Sequence, residues 1–348
     1  MSAQPKSRKL LETLNSALVL AAGEANGDTS VLRHLHEAGA TAWDAAMVAA
    51  SGRGDRPAVA FCRERGATAW DAALEAAAGA GDEELVREFS AVGAADLNRA
   101  LAAAASKGHA RLVVHLRSWG ARDVDAAAAA AARNGHEAVV RQLVGWGARN
   151  FDKIMAKATR GGHNRIVYLA RELGARDVDW SMIVAAEEGN TEIAQACHRW
   201  GAADLDWAMI IAAEHGNVPL VRLSRGWGAT AWDAAMAWAA RRGHDGVVAL
   251  CVEWGARDFD EAMVWAARGG HAAVVRRLRR LGATSCDEAM AAAAERGHVD
   301  LVKQFRRWGA TNVHRAMAWA AEAGREEVLK LCLGWVSRPG VAGRENIE

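Results

Sequence analysis

Apolar and polar positions along the chain follow one pattern that repeats every 27 residues. In residues 255–281, with Gly255 taken as position 1, Met263, Ala266 and Ala267 are spaced three and four apart. That spacing predicts the buried face of a helix, helix A. Val274, Val275 and Leu278 predict the buried face of a second, helix B. The same phase runs through the other units. Position 9 is Met47, Met155, Met182, Met209, Met236, Met263, Met290 and Met317, and position 12 is Ala in all eleven units, from Ala50 to Ala320. A site that never exceeds a methyl group marks a close approach of helices. Each predicted helix is only about eight or nine residues long, and helices of that length are marginal alone. The pattern therefore predicts helix pairs that are stable only when stacked on neighbours.

The residues between the helices keep the same step. Gly-Ala recurs every 27 residues from Gly39 to Gly309, and a second glycine series runs from Gly27 to Gly324. The second glycine, at position 16, is expected to end helix A in the left-handed conformation that residues with a Cβ avoid. Position 6 is Asp44, Asp71, Asn98, Asp125, Asp152, Asp179, Asp206, Asp233, Asp260, Asp287 and His314. A side-chain oxygen there is expected to cap the N-terminus of helix A. Asp, Asn or His at position 17, such as Asp82, Asn190 and His271, is expected to cap helix B. Pro57 and Pro219 fall where the first turn of helix B tolerates proline. The organisation predicted is a divergent N-terminal capping unit over residues 1–38, eleven repeats over 39–335 and a polar tail over 336–348.

Ala266-Ala267-Arg268-Gly269-Gly270-His271-Ala272-Ala273-Val274-Val275, matched by residues 131–140 and 293–302, resembles the ankyrin repeat. The resemblance covers nearly the whole chain. It implies an all-α, ankyrin-like helical-repeat solenoid whose function is protein–protein recognition without catalysis. Two departures stand out. The ankyrin period is about 33 residues, with a Thr-Pro-Leu-His start and a projecting β-turn. Here the unit is six residues shorter, and Glu261-Ala262-Met263-Val264 stands in place of that tetrad. The β-hairpins are therefore expected to be reduced or absent. Short repeats of this Trp-Gly-Ala style resemble the ankyrin-repeat multigene families of giant DNA viruses of amoebae, which implies a viral factor that engages host proteins.

Composition adds exclusions. The 43 basic and 42 acidic side chains nearly cancel, so no global field draws the protein to nucleic acid or an anionic membrane. No apolar run approaches the ~18 residues of a membrane span. Lys6, Arg8 and Lys9 before Ala17–Ala22 faintly imitate a signal peptide, but Glu12 and Asn15 interrupt the run. Five cysteines without a CxxC pair fit thiols in a reducing, intracellular compartment, cytoplasmic or nuclear. No nucleophile elbow, Walker loop, HExxH or acid pair is present. No cofactor, metal or catalytic residue is assigned.

The candidate partner site lies on helix A, which ankyrin-like stacking places on the concave side. Positions 7, 11, 14 and 15 vary most, and 7, 11 and 14 share one face. Position 7 holds Trp180 and Trp207; position 11 holds Trp238, Trp265 and Trp319. Position 14 runs Arg133, Arg160, Glu187, Glu214, Arg241, Arg268, Glu295 and Glu322. Aromatics edged by paired charges of alternating sign suit a groove for a polypeptide, since Trp and Arg are enriched at binding hot spots. For the position 11 tryptophans two readings stand, packing between repeats and contact with a partner. Arg276, Arg277, Arg279, Arg280, Lys303, Arg306 and Arg307 gather on helix B and form a basic convex patch, the alternative site for nucleic acid or another anionic partner. A third reading is a structural spacer in an assembly. The chain is expected to act as a monomer.

Other columns have structural explanations. Trp119, Trp146, Trp200, Trp227, Trp254, Trp308 and Trp335, at position 27, are expected to cover the end of helix B. His109, His136, His163, His244, His271 and His298 share position 17. Stacked helices lie ~8–10 Å apart and Zn–N bonds are ~2.0–2.1 Å, so one ion cannot bridge that column. Cys62, Cys197, Cys251 and Cys332 share position 24, predicted to be buried.

Overall fold

The structure, a computed structural model, describes residues 5–337. Among these residues are 24 helices and no strand. After a longer first helix, Pro5–Glu24, the helices come in pairs such as Trp232–Arg242 (helix A) and Asp245–Trp254 (helix B). Residues 243–244 join that pair, and residues 228–231 precede it, so only short loops stand where a hairpin would project. No described helix is long and apolar enough to cross a membrane. The polar tail beyond Ser337 and the side chain of Lys6 lie outside the described residues.

The chain divides into two compact units, Met1–Asp177 and Val178–Glu348. Within each, helix A packs on helix A of adjacent repeats and on its own helix B. The core is the set of positions read from the periodicity. Ala50, Ala131, Ala212 and Ala293 at position 12 are fully buried, as are Met47, Met155, Met209 and Met263 at position 9. Val247, Val248 and Cys251 bury the facing side of helix B. Cys62, Cys251 and Cys332 are buried free thiols, and Cys197 shares that burial. Burial pushes the Cys62 thiol up to about 11 and the Cys251 thiol up to about 12, which keeps both protonated and inert.

Both glycine series adopt the left-handed conformation. Gly216 has φ 71° and Gly174 has φ 112°. Where a position 17 histidine of the next repeat faces it, as at Gly216, the glycine is required twice over. A Cβ on Gly216 would lie 2.7 Å from His244 Nδ1, because the imidazole of the next repeat lies across the glycine.

Two capping expectations are corrected. Helix A begins at position 5, not after position 6, and its N-cap is position 4: Asp96 caps Arg99, Asn150 caps Lys153 and Asp258 caps Glu261. The position 6 side chain sits inside the first turn and reaches the next repeat. Asp125 Oδ1 accepts the backbone N–H groups of Arg149 and Asn150, both at 2.7 Å. Asp71, Asn98, Asp179, Asp206 and Asp233 make the same pair of bonds 24 and 25 residues along. Asn15 does the equivalent for Thr41 and Ala42. The N–H groups of Asp96 and Ala95 hold the Asp71 carboxyl below the usual carboxylate range.

At position 17 the expectation holds for Asp and Asn but not for His. Asn190 and Asn217 cap their own helix B. The histidines make no such cap. His109 Nε2 instead donates to Gly79 O at 3.0 Å, and His244 Nε2 to Glu214 O at 2.9 Å. Since a carbonyl can only accept, the proton sits on Nε2. Each of these histidines closes the C-terminus of helix A in the preceding repeat. Arg325 does the same through Nε to Glu295 O at 3.1 Å.

Candidate functional site

Residues 178–337 carry the tryptophans of positions 7 and 11 of helix A. Trp180 and Trp207, in the first turn of the helices Val178–Glu187 and Leu205–Glu214, are 49% and 47% exposed. They are large apolar surfaces that the fold leaves half in water. Trp238, Trp265 and Trp319 are half-buried, one turn further along their helices.

These three tryptophans form a ladder with arginines as rungs. The Trp238 and Trp265 rings stack with centroids 6.1 Å apart and 16° between planes. The Arg241 guanidinium lies 5.0 Å from the Trp238 ring and 5.2 Å from the Trp265 ring. Arg268 lies 5.3 Å from Trp265 and 6.0 Å from Trp319, across the repeat in which position 11 is the buried Ala292. Arg315 closes the series 5.3 Å from Trp319. Such cation–π contacts hold guanidinium groups against ring faces.

The charges along this face are unevenly satisfied. Arg242 pairs with Glu214 at 2.8 Å, Arg268 with Glu295 at 2.7 Å and Arg315 with Glu288 at 3.3 Å. Arg241 and Glu322 have no ion-pair partner among the described residues. The arrangement presents half-exposed aromatic edges beside a cation held between two rings. The position 11 tryptophans thus serve packing between repeats, and their outer edges remain open to solvent.

Other candidates stand apart from this ladder. Arg133 and Arg160 belong to the first unit, where position 11 is Ala130 and Lys157. Glu187 is exposed at the end of the Trp180 helix. The position 27 tryptophans brace helix B. Trp227 stacks on His198 of the preceding repeat at 4.6 Å, and Arg225 covers Trp254 at 4.7 Å.

The basic residues of helix B are partly committed. Arg277 forms a two-pronged bond to Asp245, 2.6 Å on each prong, which raises its already high pKa. Arg279 and Arg306 donate at 2.7 Å to the carbonyls of Ala283 and Ala310 in the following loops. Lys303 stands 4.0 Å from Asp300. Arg276, Arg280 and Arg307 are exposed. In the first unit, a polar cleft lined by Arg53, Arg56, Asp82, Glu83, Glu84, Arg87 and Arg111 largely neutralises itself. Arg56 pairs there with Asp82 and Glu84, and Arg87 with Glu83.

Sequence reasoning passed over Arg315, though its signal was present. Position 7 and position 11 are i and i+4 on one helix, which brings Arg315 onto Trp319. It also passed over the apolar column at position 5. There Trp43 packs edge-on to Phe61 at 6.0 Å, and Trp232 Nε1 donates to Ala229 O at 3.0 Å. No protein-family model and no curated protein matches this chain.

Proposed function

We propose that the protein is a non-catalytic binding scaffold that holds a polypeptide partner against the helix A face of residues 178–337. The observation that carries this reading is the exposure of Trp180 and Trp207 in line with the Trp–Arg ladder. Half-exposed tryptophans beside arginines are the side chains that give protein interfaces most of their energy. The resemblance of the repeats to ankyrin supports the same function, and that to giant-virus repeat families supports a host protein as the partner. The buried, protonated thiols fit an intracellular setting.

The test compares affinity capture from host lysate by the intact chain and by a Trp180→Ala, Trp207→Ala variant shown by circular dichroism to be folded. A protein retained by the first and at least tenfold depleted on the second supports the scaffold and places its face. Identical retention by both would reject this face.

A further inference from the structure

The positions along helix A of the second unit differ in how far their charges are already met. Along position 14 the carboxylates of Glu187, Glu214, Glu295 and Glu322 outnumber the guanidinium groups of Arg241 and Arg268. Glu214 and Arg268 are neutralised by Arg242 and Glu295. Arg241 keeps its charge unmatched, yet two tryptophan rings hold it in place. A held side chain loses little rotamer freedom when a ligand arrives. Glu322 is the opposite case, an exposed carboxylate without an ion-pair partner among the described residues.

We propose that this face reads an extended peptide by charge, with a carboxylate side chain on Arg241 and a cationic side chain on Glu322. This rests on the scaffold reading above. Residues 241 and 322 stand three repeats apart. Packed helices are spaced ~8–10 Å, which gives roughly 24–30 Å. An extended chain covers ~3.3–3.6 Å per residue, so the two recognised side chains lie roughly 7–9 residues apart.

A polyanion does not fit the same face. Its phosphates would meet more carboxylates than guanidinium groups along position 14. Bases would also find the facing surfaces of Trp238 and Trp265 already stacked on each other, whereas single-strand binders offer free ring faces. One localised carboxylate, with apolar groups beside it to cover the tryptophan edges, is the complement.

The experiment selects a phage-displayed random dodecapeptide library on the full chain, on folded Arg241→Gln, Arg241→Glu and Glu322→Lys, and on the Trp180→Ala, Trp207→Ala variant. Enriched peptides are expected to carry Asp or Glu with Lys or Arg roughly 7–9 residues away. Arg241→Gln is expected to weaken them about tenfold or more, as loss of a charged hydrogen-bond partner does. Arg241→Glu is expected to select a basic residue at the first site, and Glu322→Lys an acidic one at the second. Peptides lost on the double tryptophan variant but indifferent to Arg241→Gln would overturn the charge reading and leave the scaffold standing. No enrichment, or enrichment unaffected by every helix A substitution, would overturn both. A single-stranded 20-nucleotide DNA bound by the full chain and released by Arg241→Gln would also overturn the charge reading.

Discussion

Asp206 Oδ1 accepts the N–H groups of Thr230 and Ala231, the last two residues before the next helix A. Those donors have no partner within their own helix, because the first turn of any helix leaves its N–H groups unpaired. One oxygen thus sets where the next helix begins. Asp206→Ala is expected to cost about 1.5–3 kcal/mol, the range of hydrogen bonds to a charged group, read as a shift in the urea midpoint. Asp206→Asn should lose much less, because Asn98 already performs the role in its own repeat. Equal losses would mean that the charge, not the acceptor, holds the loop. Acid should act at the two equivalent carboxylates, Asp260 and Asp71, whose pKa values are displaced. Burial raises the Asp260 carboxyl, but the N–H groups of Ser285 and Thr284 outweigh it, and the net direction is down. Asp71 is lowered as well, by Asp96 and Ala95. With folded pKa values below the unfolded ~3.9, this stability is complete above that value. It is lost as pH falls through the lower folded values. Thermal midpoints of Asp71→Asn and the parent should therefore converge on acidification below about pH 4. A constant gap would separate the staple from titration.

At the scale of the helix pair, the turn after helix A joins two repeats. Gly216 supplies the left-handed turn, and the His244 imidazole lies on it and donates to Glu214 O. Gly174 is also left-handed, but nothing lies within 4 Å of where its Cβ would be. Gly216→Ala is therefore expected to cost clearly more than Gly174→Ala, whose penalty is the backbone strain alone, about 1–3 kcal/mol. Chemical denaturation of the two variants checks this, and equal penalties would mean that the imidazole moves aside freely. Glycine phase, the Ala and Met columns and the short loops were all legible in the sequence, because each reports a requirement local to one helix or turn. The Asp and His columns were misassigned for the matching reason. Capping rules look two or three residues ahead, whereas Asp125 bonds 24 and 25 residues ahead and His109 bonds 30 residues back. His314 held the clue, since position 6 departs from Asp and Asn only in the repeat with no further Gly-Ala loop to receive the bond. For the site, the shared face of positions 7, 11 and 14 was legible. The pairing of charges was not, because Arg242 reaches back 28 residues to Glu214 and Arg268 forward 27 to Glu295.

Across the molecule, the principal packed helix pairs lie within one repeat or between adjacent repeats. Where the principal contacts of the described residues join only neighbours, stability is approximately the sum of repeat terms and nearest-neighbour terms. A disturbance in one repeat should then spread a short distance and fade. Ala212 tests this, since it is fully buried in the helix Leu205–Glu214, which packs on the helices Val178–Glu187 and Trp232–Arg242. Ala212→Leu overfills that contact and should cost ~1–3 kcal/mol. By hydrogen exchange, amides in residues 178–254 should lose protection, while those in residues 66–120 keep theirs. Opening free energies that differ from segment to segment are what such a chain allows. A uniform loss over all described residues would mean that the repeats unfold as one cooperative body. The proposed partner surface would then stiffen or loosen as a whole, and no single repeat of the Trp–Arg ladder could adapt alone to a peptide of the kind proposed above.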